Sequence, residues 1–350
     1  MSETKPSLPV QSLEYPFEQR PELGETIEIA PGVQWIRMRL PIQLNHINLW
    51  LLEDGDGWTI VDTGMRTEAT ADAWNKLFAG PMGGRPVRRV IVTHLHPDHI
   101  GLAGWLVRRF DVELWMTRVD YLMCRNLLAD TNAEAPEEAL RFYRAAGFDK
   151  EALENYRTRF GEFGHGIYRL PNSYRRIQDG EVLKIGGRDW QVVVGRGHAP
   201  EHACLWCPEI NLFISGDQIL PRISSNVSLF PTEPEANPLQ EWLDSCAMLK
   251  ALLPRDVLVL PAHNEPFRGA RERLGELIEG HETGMEKLLV YCTQPRRAVD
   301  CFSELFRSRI TSGVYLWATG EALAHLNCLR AREKIARSSD ADGVDWYRTV

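Results

Sequence analysis

A short run of the sequence, T-H-L-H-P-D-H at positions 93–99, concentrates side chains that bind metal ions. It contains three of the ten histidines of the chain, together with one carboxylate. Imidazole and carboxylate groups are ligands that zinc and similar first-row metals take in proteins. The run follows an apolar strand predicted over 87–93, and a helix is expected over about 98–110. A loop there can direct His94 and His96 at one ion, while Asp98 and His99 in the first helical turn face a second.

Three later segments each place one more metal-binding side chain directly after an apolar strand. They are G-H at 197–198, S-G-D at 215–217 and P-A-H at 261–263, which supply His198, Asp217 and His263. Each segment alone is a weak signal, because an aspartate at a strand end is usually a turn residue. The ends of neighbouring strands meet at one edge of an α/β fold, where active sites form. In this order after the 93–99 run, the segments together predict a site with seven metal ligands.

These segments, with V-D-T-G at 61–64, resemble the signature of the metallo-β-lactamase superfamily. The resemblance is to its dinuclear hydrolase branch, which includes glyoxalase II-like thioesterases, and it covers about residues 26–270. It implies an α/β fold, an αββα sandwich with the metal site at one edge between two sheets. One position departs from the pattern, because Glu201 stands where the family often has glycine. That departure alters the rim of the site and leaves the ligands intact.

The resemblance also implies a role for each candidate ligand. One ion would be held by His94, His96 and His198, the other by Asp98, His99 and His263, and Asp217 would bridge both. Asp62 is expected to hold the ligand loops through hydrogen bonds. The implied cofactors are two divalent metal ions, with zinc favoured and iron or manganese as alternatives. His202 is expected to lie beside the site without binding an ion.

A dinuclear site of this kind carries its own nucleophile. Two ions ~3.5–4 Å apart can hold a bridging hydroxide at neutral pH and polarise a scissile carbonyl or phosphoryl group. Asp98 is then the catalytic residue that orients the hydroxide and accepts its proton. The sequence contains neither a G-x-S-x-G elbow nor a G-x-x-x-x-G-K-[ST] loop. A metal-dependent hydrolase without a serine or cysteine nucleophile is therefore expected.

Changes of composition divide the chain into parts. They are an N-terminal arm over 1–25, a hydrolase domain over 26–293 with a helical insertion at about 118–165, and a C-terminal unit over 294–350. The insertion is predicted from a charged and aromatic helical pattern. A long helix is predicted over 269–292, before Pro295 breaks the chain. Helices over 298–306 and 320–337, followed by a turn and a short strand, predict a winged-helix-like unit.

Two segments are expected to line the substrate pocket. The loop after Asp217 offers Arg222, Ser224 and Asn226, and the helical insertion offers Tyr121 and Tyr143. An insertion at this point of the chain can fold over the open metal edge and bury the non-reacting part of a ligand. The alternative for the tyrosines is a small packed core within the insertion itself.

Three activities stay open for such a site. The first is hydrolysis of a small ester or thioester, with acyl-CoA among the candidates, which the insertion and the acidic balance favour. The second is a nuclease or phosphodiesterase of the same fold, since some such enzymes carry a C-terminal winged-helix-like unit. The third is a mononuclear iron dioxygenase of sulfur compounds, which shares the ligand run but is usually compact and lacks a helical insertion. Metal analysis separates the third activity from the others.

The charge balance and the apolar pattern bear on partners and location. The net charge is −8, and residues 294–350 carry nine Lys/Arg and seven Asp/Glu, which is too mild for a nucleic-acid surface. No apolar run approaches the ~18 residues of a membrane span, and no signal-peptide pattern is present at the start. A cytoplasmic protein with a small-molecule substrate is expected. Leu323, Leu326, Leu329 and Ile335 predict an apolar helix face that needs a packing partner, either this chain or a second copy in a homodimer.

Overall fold

Two β-sheets form the centre of the protein in the computed structural model, which describes residues 13–41 and 44–350. The first sheet has seven strands in sequential order: β1 (Ile27–Ala30), β2 (Val33–Arg39), β3 (His46–Asp54), β4 (Gly57–Val61), β5 (Val87–Ile91), β6 (Leu114–Met116) and β7 (Arg175–Arg176). Strands β1 to β4 pair antiparallel, whereas β4 to β7 pair parallel. The parallel half carries the strand end that leads into the histidine run.

The second sheet has five strands in the order β12-β11-β10-β9-β8. They are β8 (Val182–Ile185), β9 (Arg188–Gly195), β10 (His202–Cys207), β11 (Leu212–Gly216) and β12 (Leu258–Pro261). Pairing is antiparallel from β8 to β11 and parallel between β11 and β12. Because β11 and β12 run in the same direction, the residues that follow them emerge at the same edge of the sheet.

The buried apolar side chains show four layers. Trp35 and Trp50 of the first sheet pack against Trp190 and Leu205 of the second, so one core lies between the sheets. The outer face of the first sheet is covered by α1 (Glu68–Ala79), α3 (Ala103–Phe110) and α4 (Arg118–Ala129). The outer face of the second is covered by α7 (Pro238–Leu252), α8 (Ala270–Tyr291) and α10 (Tyr315–Ala331). This arrangement confirms the predicted αββα sandwich.

The region predicted as an insertion is helical. It contains α4, α5 (Glu137–Ala145), α6 (Lys150–Arg159) and a 3-10 turn over Glu162–Gly166. Tyr143, Phe148 and Leu153 of this region form a separate apolar cluster, and Val299 and Tyr315 pack against it from the C-terminal unit. The insertion therefore lies against the C-terminal unit as well as the sandwich.

The C-terminal unit is a helical segment followed by a hairpin. It comprises a 3-10 turn over Ala298–Cys301, α9 (Phe302–Leu305), α10, and the antiparallel pair β13 (Ile335–Ser339) and β14 (Asp345–Thr349). Leu323, Leu326, Leu329 and Ile335 lie in the same core as side chains of α7 and α8. The apolar face predicted from the sequence is thus covered within the chain. None of the described helices has the length and apolar character of a membrane span.

Two helices differ from the sequence-based prediction. The helix expected over 98–110 is divided into α2 (Pro97–Ile100) and α3, because the backbone of Gly101 packs against the loop after β4. A Cβ atom on Gly101 would lie 2.5 Å from the carbonyl oxygen of Gly64. The helix expected over 320–337 ends at Ala331, since Glu333 takes a left-handed backbone conformation (φ 57°) and the chain turns into β13.

The described part of the predicted N-terminal arm lies on the sandwich. Glu14 forms an antiparallel bridge with Arg268, Leu13 is buried in the core of the second sheet, and Arg20 pairs with Glu265. Residues 1–12 of the predicted arm lie outside the described residues. The segment 13–25 is therefore fixed to the edge that carries the metal-binding side chains.

Candidate metal centre

The metal-binding side chains predicted from the sequence come from four strand ends at one edge of the sandwich. β5 leads into the loop with His94 and His96 and then into α2, which carries Asp98 and His99. The others follow later strands: His198 comes after β9, Asp217 after β11 and His263 after β12. Pro97 at the start of α2 suits a first helical position, because its missing N–H would have no partner there.

These seven side chains form two adjoining groups. The first group is His94, His96, His198 and Asp217, and the second is Asp98, His99 and His263. Within each group, one ligand atom from every residue lies within 4.8 Å of the others. Only His96 and Asp98 are partly exposed, so the centre is open on their side and closed elsewhere.

Asp217 joins the two groups. Its Oδ2 atom lies 3.3 Å from Nε2 of His198 in the first group. Its Oδ1 atom lies 3.6 Å from Nε2 of His99 and 3.4 Å from Nε2 of His263 in the second. A carboxylate with one oxygen toward each group is placed to bridge two ions.

Several buried polar atoms of the centre face one another at 3.3–3.6 Å, and none forms a hydrogen bond of normal geometry with a described residue. They are Nε2 of His99, His198 and His263, and Oδ1 of Asp217. A buried polar atom without a partner costs about 1–3 kcal/mol, so four such atoms facing one space need an explanation. Metal coordination supplies it, and nitrogen and carboxylate donors fit a divalent first-row metal such as zinc.

The outward ring nitrogens of the histidines are held by the protein. Nδ1 of His198 donates to the carbonyl oxygen of Asn226 over 2.7 Å. Nδ1 of His263 donates to the carbonyl oxygen of His46 over 2.9 Å. Nδ1 of His99 lies 2.8 Å from Oδ2 of Asp62. Partners of this kind fix the ring and leave Nε2 with a free lone pair for an ion.

Asp62 also ties the first ligand loop to the end of β4. Its Oδ1 accepts the backbone N–H of Thr93 over 2.8 Å, and its Oδ2 accepts the Thr93 hydroxyl over 2.9 Å. Asp62 itself has a left-handed backbone (φ 61°), which aspartate tolerates better than most residues. The structure therefore places Asp62 where the sequence-based prediction needs it, in contact with the ligand loop and one candidate ligand.

Opposite charges are paired across the centre. Burial opposes the charge on His99, but Asp62, Asp98 and Asp217 outweigh it and hold the pKa of this imidazole well above its usual range. Burial likewise opposes the charge on His263, whereas Asp217 and Asp98 raise its pKa to about 10. Burial would raise the pKa of Asp98, but His99 and His263 lower it to about 2. Positive charge is thus favoured here, either as imidazolium protons or as a divalent cation.

Asp120 is a functional residue that sequence reasoning missed. Its fully buried carboxylate accepts the backbone N–H of Leu95 over 3.0 Å and that of Glu201 over 2.7 Å. It thereby connects the first ligand loop with the loop that carries His198. Burial raises the pKa of Asp120 to about 7. The T-x-x-D pattern at 117–120 is typical of the start of a helix and gives no indication of these two contacts.

Glu201 and His202, beside His198, have structural contacts of their own. The carboxylate of Glu201 accepts the backbone N–H of Val119 in the first turn of α4, so the departure from the family pattern anchors the insertion. Nε2 of His202 accepts the backbone N–H of Asp217 over 3.0 Å. His202 belongs to neither ligand group and holds the loop of the bridging aspartate in place.

The two tyrosines predicted to line the substrate pocket lie in packed interiors. Tyr121 stacks on Tyr174 with ring centroids 3.8 Å apart, and its hydroxyl donates to the carbonyl oxygen of Pro171. Tyr143 is buried against Phe148 and Tyr156, and burial raises the pKa of its hydroxyl. The structure therefore does not support either ring as a substrate contact and favours the packed-core alternative.

The polar residues predicted on the loop after Asp217 form side-chain contacts with other residues of the protein. Arg222 is exposed at the rim and pairs with Glu265. Ser224 is buried, and its hydroxyl lies 3.4 Å from Nε2 of His281. The side chain of Asn226 donates to Glu321 of the C-terminal unit. Of these three, only Arg222 has a side chain that is largely accessible from solvent.

The fold and the centre together define a class of protein, metal-dependent enzymes with an αββα sandwich and a His/Asp cluster at one sheet edge. The chain belongs to the metallo-beta-lactamase superfamily, whose family model matches residues 43–263. A second model, the metallo-beta-lactamase-like C-terminal domain, matches residues 285–350. The protein is accordingly a metallo-hydrolase of this fold.

Three relatives show how far the similarity extends. A solved beta-lactamase domain protein from Burkholderia ambifaria is 41% identical, with a TM-score of 0.89 over 97% of this chain and 99% of that one. The probable metallo-hydrolase YqjP of Bacillus subtilis is 23% identical over 90% of this chain and 97% of its own length. The acyl-coenzyme A thioesterase MBLAC2 of Gallus gallus is 26% identical over 72% of this chain and 84% of its own length.

Proposed function

We propose that this chain hydrolyses a thioester of the acyl-CoA class with two divalent metal ions, zinc being the favoured metal. The observation that carries the two-metal part is Asp217, whose two carboxylate oxygens face different ligand groups. The substrate class is supported by the thioesterase relative, which is similar over most of its own length.

Each ligand group would hold one ion. His94, His96 and His198 would hold the first, Asp98, His99 and His263 the second, and Asp217 would contact both. Ions held there would supply a hydroxide from water near neutral pH and would polarise the thioester carbonyl. Hydrogen bonds hold the Nδ1 atoms of the three histidines that have Nε2 toward the centre. The acceptors are the carboxylate of Asp62 and the backbone carbonyl oxygens of Asn226 and His46.

Asp98 is the residue of this chain that would move a proton. Its side chain is 15% exposed, compared with 2% for Asp217, so Asp98 faces the open side of the centre where a substrate arrives. There it would orient the attacking water and accept its proton.

A group of arginines at the rim supports an anionic substrate. Glu265, two residues after the last candidate ligand, pairs with Arg20 and Arg222. Arg37 is half-buried beside them, and its pKa is lowered by burial and by the charge of Arg20. Three guanidinium groups facing the carboxylates of Glu265 and Glu22 leave net positive charge. Guanidinium forks suit the phosphate groups of a nucleotide-bearing thioester.

The test compares two thioesters on zinc-loaded protein. One is an acyl-CoA, and the other carries the same acyl group on N-acetylcysteamine, which lacks the nucleotide. We expect cleavage of both, abolished by a chelator and restored by zinc, with a lower KM for the acyl-CoA. Arg37→Gln should raise KM for the acyl-CoA several-fold and leave the shorter thioester unchanged. Arg255→Gln, at an exposed arginine whose ion pair among the described residues is with Glu272, is the control.

The same protein is offered simple esters, lactones, alkyl sulfates, phosphodiesters and RNA. A rate on phosphodiesters or RNA that exceeds the thioester rate would contradict the proposal and favour a nuclease. One iron per chain together with oxygen consumption on a sulfur compound would favour a dioxygenase. An equal KM for both thioesters would remove the arginine rim from the proposal.

A further inference from the structure

A buried polar cluster lies outside the metal centre, where α10 of the C-terminal unit meets the loop after Asp217. It consists of Asn226 and Ser228 of the loop and Glu321 of α10. The carboxylate of Glu321 accepts the side-chain N–H of Asn226 over 2.9 Å. The hydroxyl of Ser228 donates to Oδ1 of Asn226 over 2.5 Å. Both ends of the Asn226 amide are therefore occupied, which fixes its orientation.

Asn226 is also the residue that holds His198. Its backbone carbonyl oxygen accepts Nδ1–H of His198 over 2.7 Å. Within the first ligand group, His198 is the residue that follows β9 of the second sheet. A continuous line of contacts thus runs from Glu321 through Asn226 to the candidate ligand. Glu321 lies 95 residues from Asn226 along the chain, in a different structural unit.

The backbone of α10 touches the same loop directly. The N–H of Leu229 donates to the carbonyl oxygen of Gly320 over 3.0 Å, and the Ser228 hydroxyl lies 3.3 Å from the carbonyl oxygen of Trp317. A Cβ atom on Gly320 would lie 2.7 Å from Cβ of Ser228. Glycine at this position lets the helix approach closely enough for Glu321 to reach Asn226.

Glu321 is an unusual residue to bury for packing alone. Its side chain is 3% exposed, and among the described residues it forms no ion pair with lysine or arginine. Burial raises its pKa to about 7, so the protein bears a cost for placing a carboxyl group there. An apolar residue of similar size would fill the same space without that cost but could not accept the Asn226 amide.

We propose that Glu321 is a positioning residue of the metal centre, which acts through Asn226 to fix the imidazole of His198. The C-terminal unit is then part of the machinery that holds the metal and not only a packing element. The inference rests on the proposed role of His198 as a ligand, and it does not depend on which substrate is hydrolysed. Groups that orient metal ligands typically change metal affinity about 10–100-fold when they are removed.

The first experiment measures zinc affinity by competition with a chromogenic chelator, without any substrate. Glu321→Leu should weaken zinc binding at the His198 site about 10-fold or more. Glu321→Gln keeps an oxygen acceptor for the Asn226 amide and should restore affinity to within about three-fold of the natural protein. Thr319→Val is the matched control, because Thr319 is buried on the same helix and its hydroxyl donates, among the described residues, to the carbonyl oxygen of Tyr315 within that helix.

The second experiment asks whether Glu321 works through Asn226. In an Asn226→Ala background, Glu321→Leu should cause no further loss of zinc affinity, because the contact that transmits it is already gone. An undiminished loss in that background would overturn the proposal. So would a Glu321→Leu protein that melts at a lower temperature but binds zinc as tightly as the Thr319→Val control.

A third variant covers the case in which Glu321→Leu does not fold. Ser228→Ala leaves Glu321 in place and releases the other end of the Asn226 amide. It should weaken zinc binding several-fold and shift the visible spectrum of the cobalt-substituted protein. Unchanged affinity and spectrum would contradict the proposal. A protein that holds its zinc in this way but cleaves no thioester would refute the proposed substrate class alone.

Discussion

Asp62 offers a quantitative test of how the ligand loop is held. Its carboxylate is buried and accepts three contacts: the N–H of Thr93 at 2.8 Å, the hydroxyl of Thr93 at 2.9 Å and Nδ1 of His99 at 2.8 Å. The informative substitutions are Asp62→Ala, which removes all three, and Asp62→Asn, which keeps the shape and one acceptor.

The expected loss of stability follows from these contacts. Without the carboxylate, the buried N–H of Thr93 has no acceptor, which costs about 1–3 kcal/mol, and His99 loses a bond to a charged group worth about 1.5–3 kcal/mol. Alanine in the left-handed backbone of residue 62 adds about 1–2 kcal/mol, whereas asparagine tolerates that conformation. We expect Asp62→Ala to lower the free energy of unfolding by about 4–8 kcal/mol and Asp62→Asn by about 1–3 kcal/mol.

The effect on the metal is measured separately from the effect on folding. Urea unfolding gives the free energy, and chelator competition gives the zinc affinity of the protein that remains folded. Asp62→Asn should weaken zinc binding about 10–100-fold, because the orientation of His99 is no longer fixed. Asp54→Asn is a suitable control, since Asp54 accepts Thr59 and Arg89 in the same sheet but contacts no candidate ligand.

One result would refute this reasoning. If Asp62→Asn lost stability like the Asp54→Asn control but kept zinc affinity within about two-fold, Asp62 would stabilise the fold without orienting a ligand. The hydrogen bond to His99 would then be incidental to metal binding.

Three further predictions concern the proton inventory, the reaction and the partners. Metal uptake should release protons at pH 7, because the raised pKa values of His99 and His263 favour imidazolium protons that an ion must displace, and a metal-bound water that ionises releases one more. Zinc affinity should therefore rise with pH through the neutral range; a calorimetric binding enthalpy that does not vary between buffers of different ionisation enthalpy would contradict this. Asp98→Asn should lower kcat at least about 100-fold with the fold retained, and near-normal kcat would remove its role as proton acceptor. Polarisation assays at moderate salt should detect no tight binding of RNA or DNA, and sub-micromolar, salt-sensitive affinity would revive the nuclease alternative.

The candidate ligand set was readable from the sequence because its information is local. Metal chemistry restricts the residue types that can serve as ligands, and the 93–99 run places four candidate ligands within one strand–loop–helix junction. The remaining candidates follow apolar strands, so their position at a sheet edge follows from strand geometry. The sandwich was predicted from the resemblance that these segments carry, because the apolar strands by themselves indicate an α/β fold without fixing how its sheets are layered.

Other features depended on contacts between distant segments. Tyr121 and Tyr143 are aromatic residues of a helical insertion, and their pattern alone suits a pocket wall as well as a packed core. Only the positions of Tyr174 and Phe148 decide for the core. Composition likewise does not show where α10 ends, because residues 332–337 are compatible with a helix. The left-handed backbone of Glu333 ends the helix in the structure.

The sequence by itself determined which side chains can hold metal ions and the type of fold that gathers them. The tertiary structure decided which other polar groups support those ligands. Asp120 joins two ligand loops and Glu321 contacts Asn226, whose backbone carbonyl holds His198, although neither stands near a ligand in the sequence. Residue type and spacing encode what a group can bind, whereas burial and hydrogen-bond partners arise from packing between segments tens to hundreds of residues apart. The sequence alone does not distinguish a carboxylate that will be buried beside a ligand from one that will be exposed to solvent.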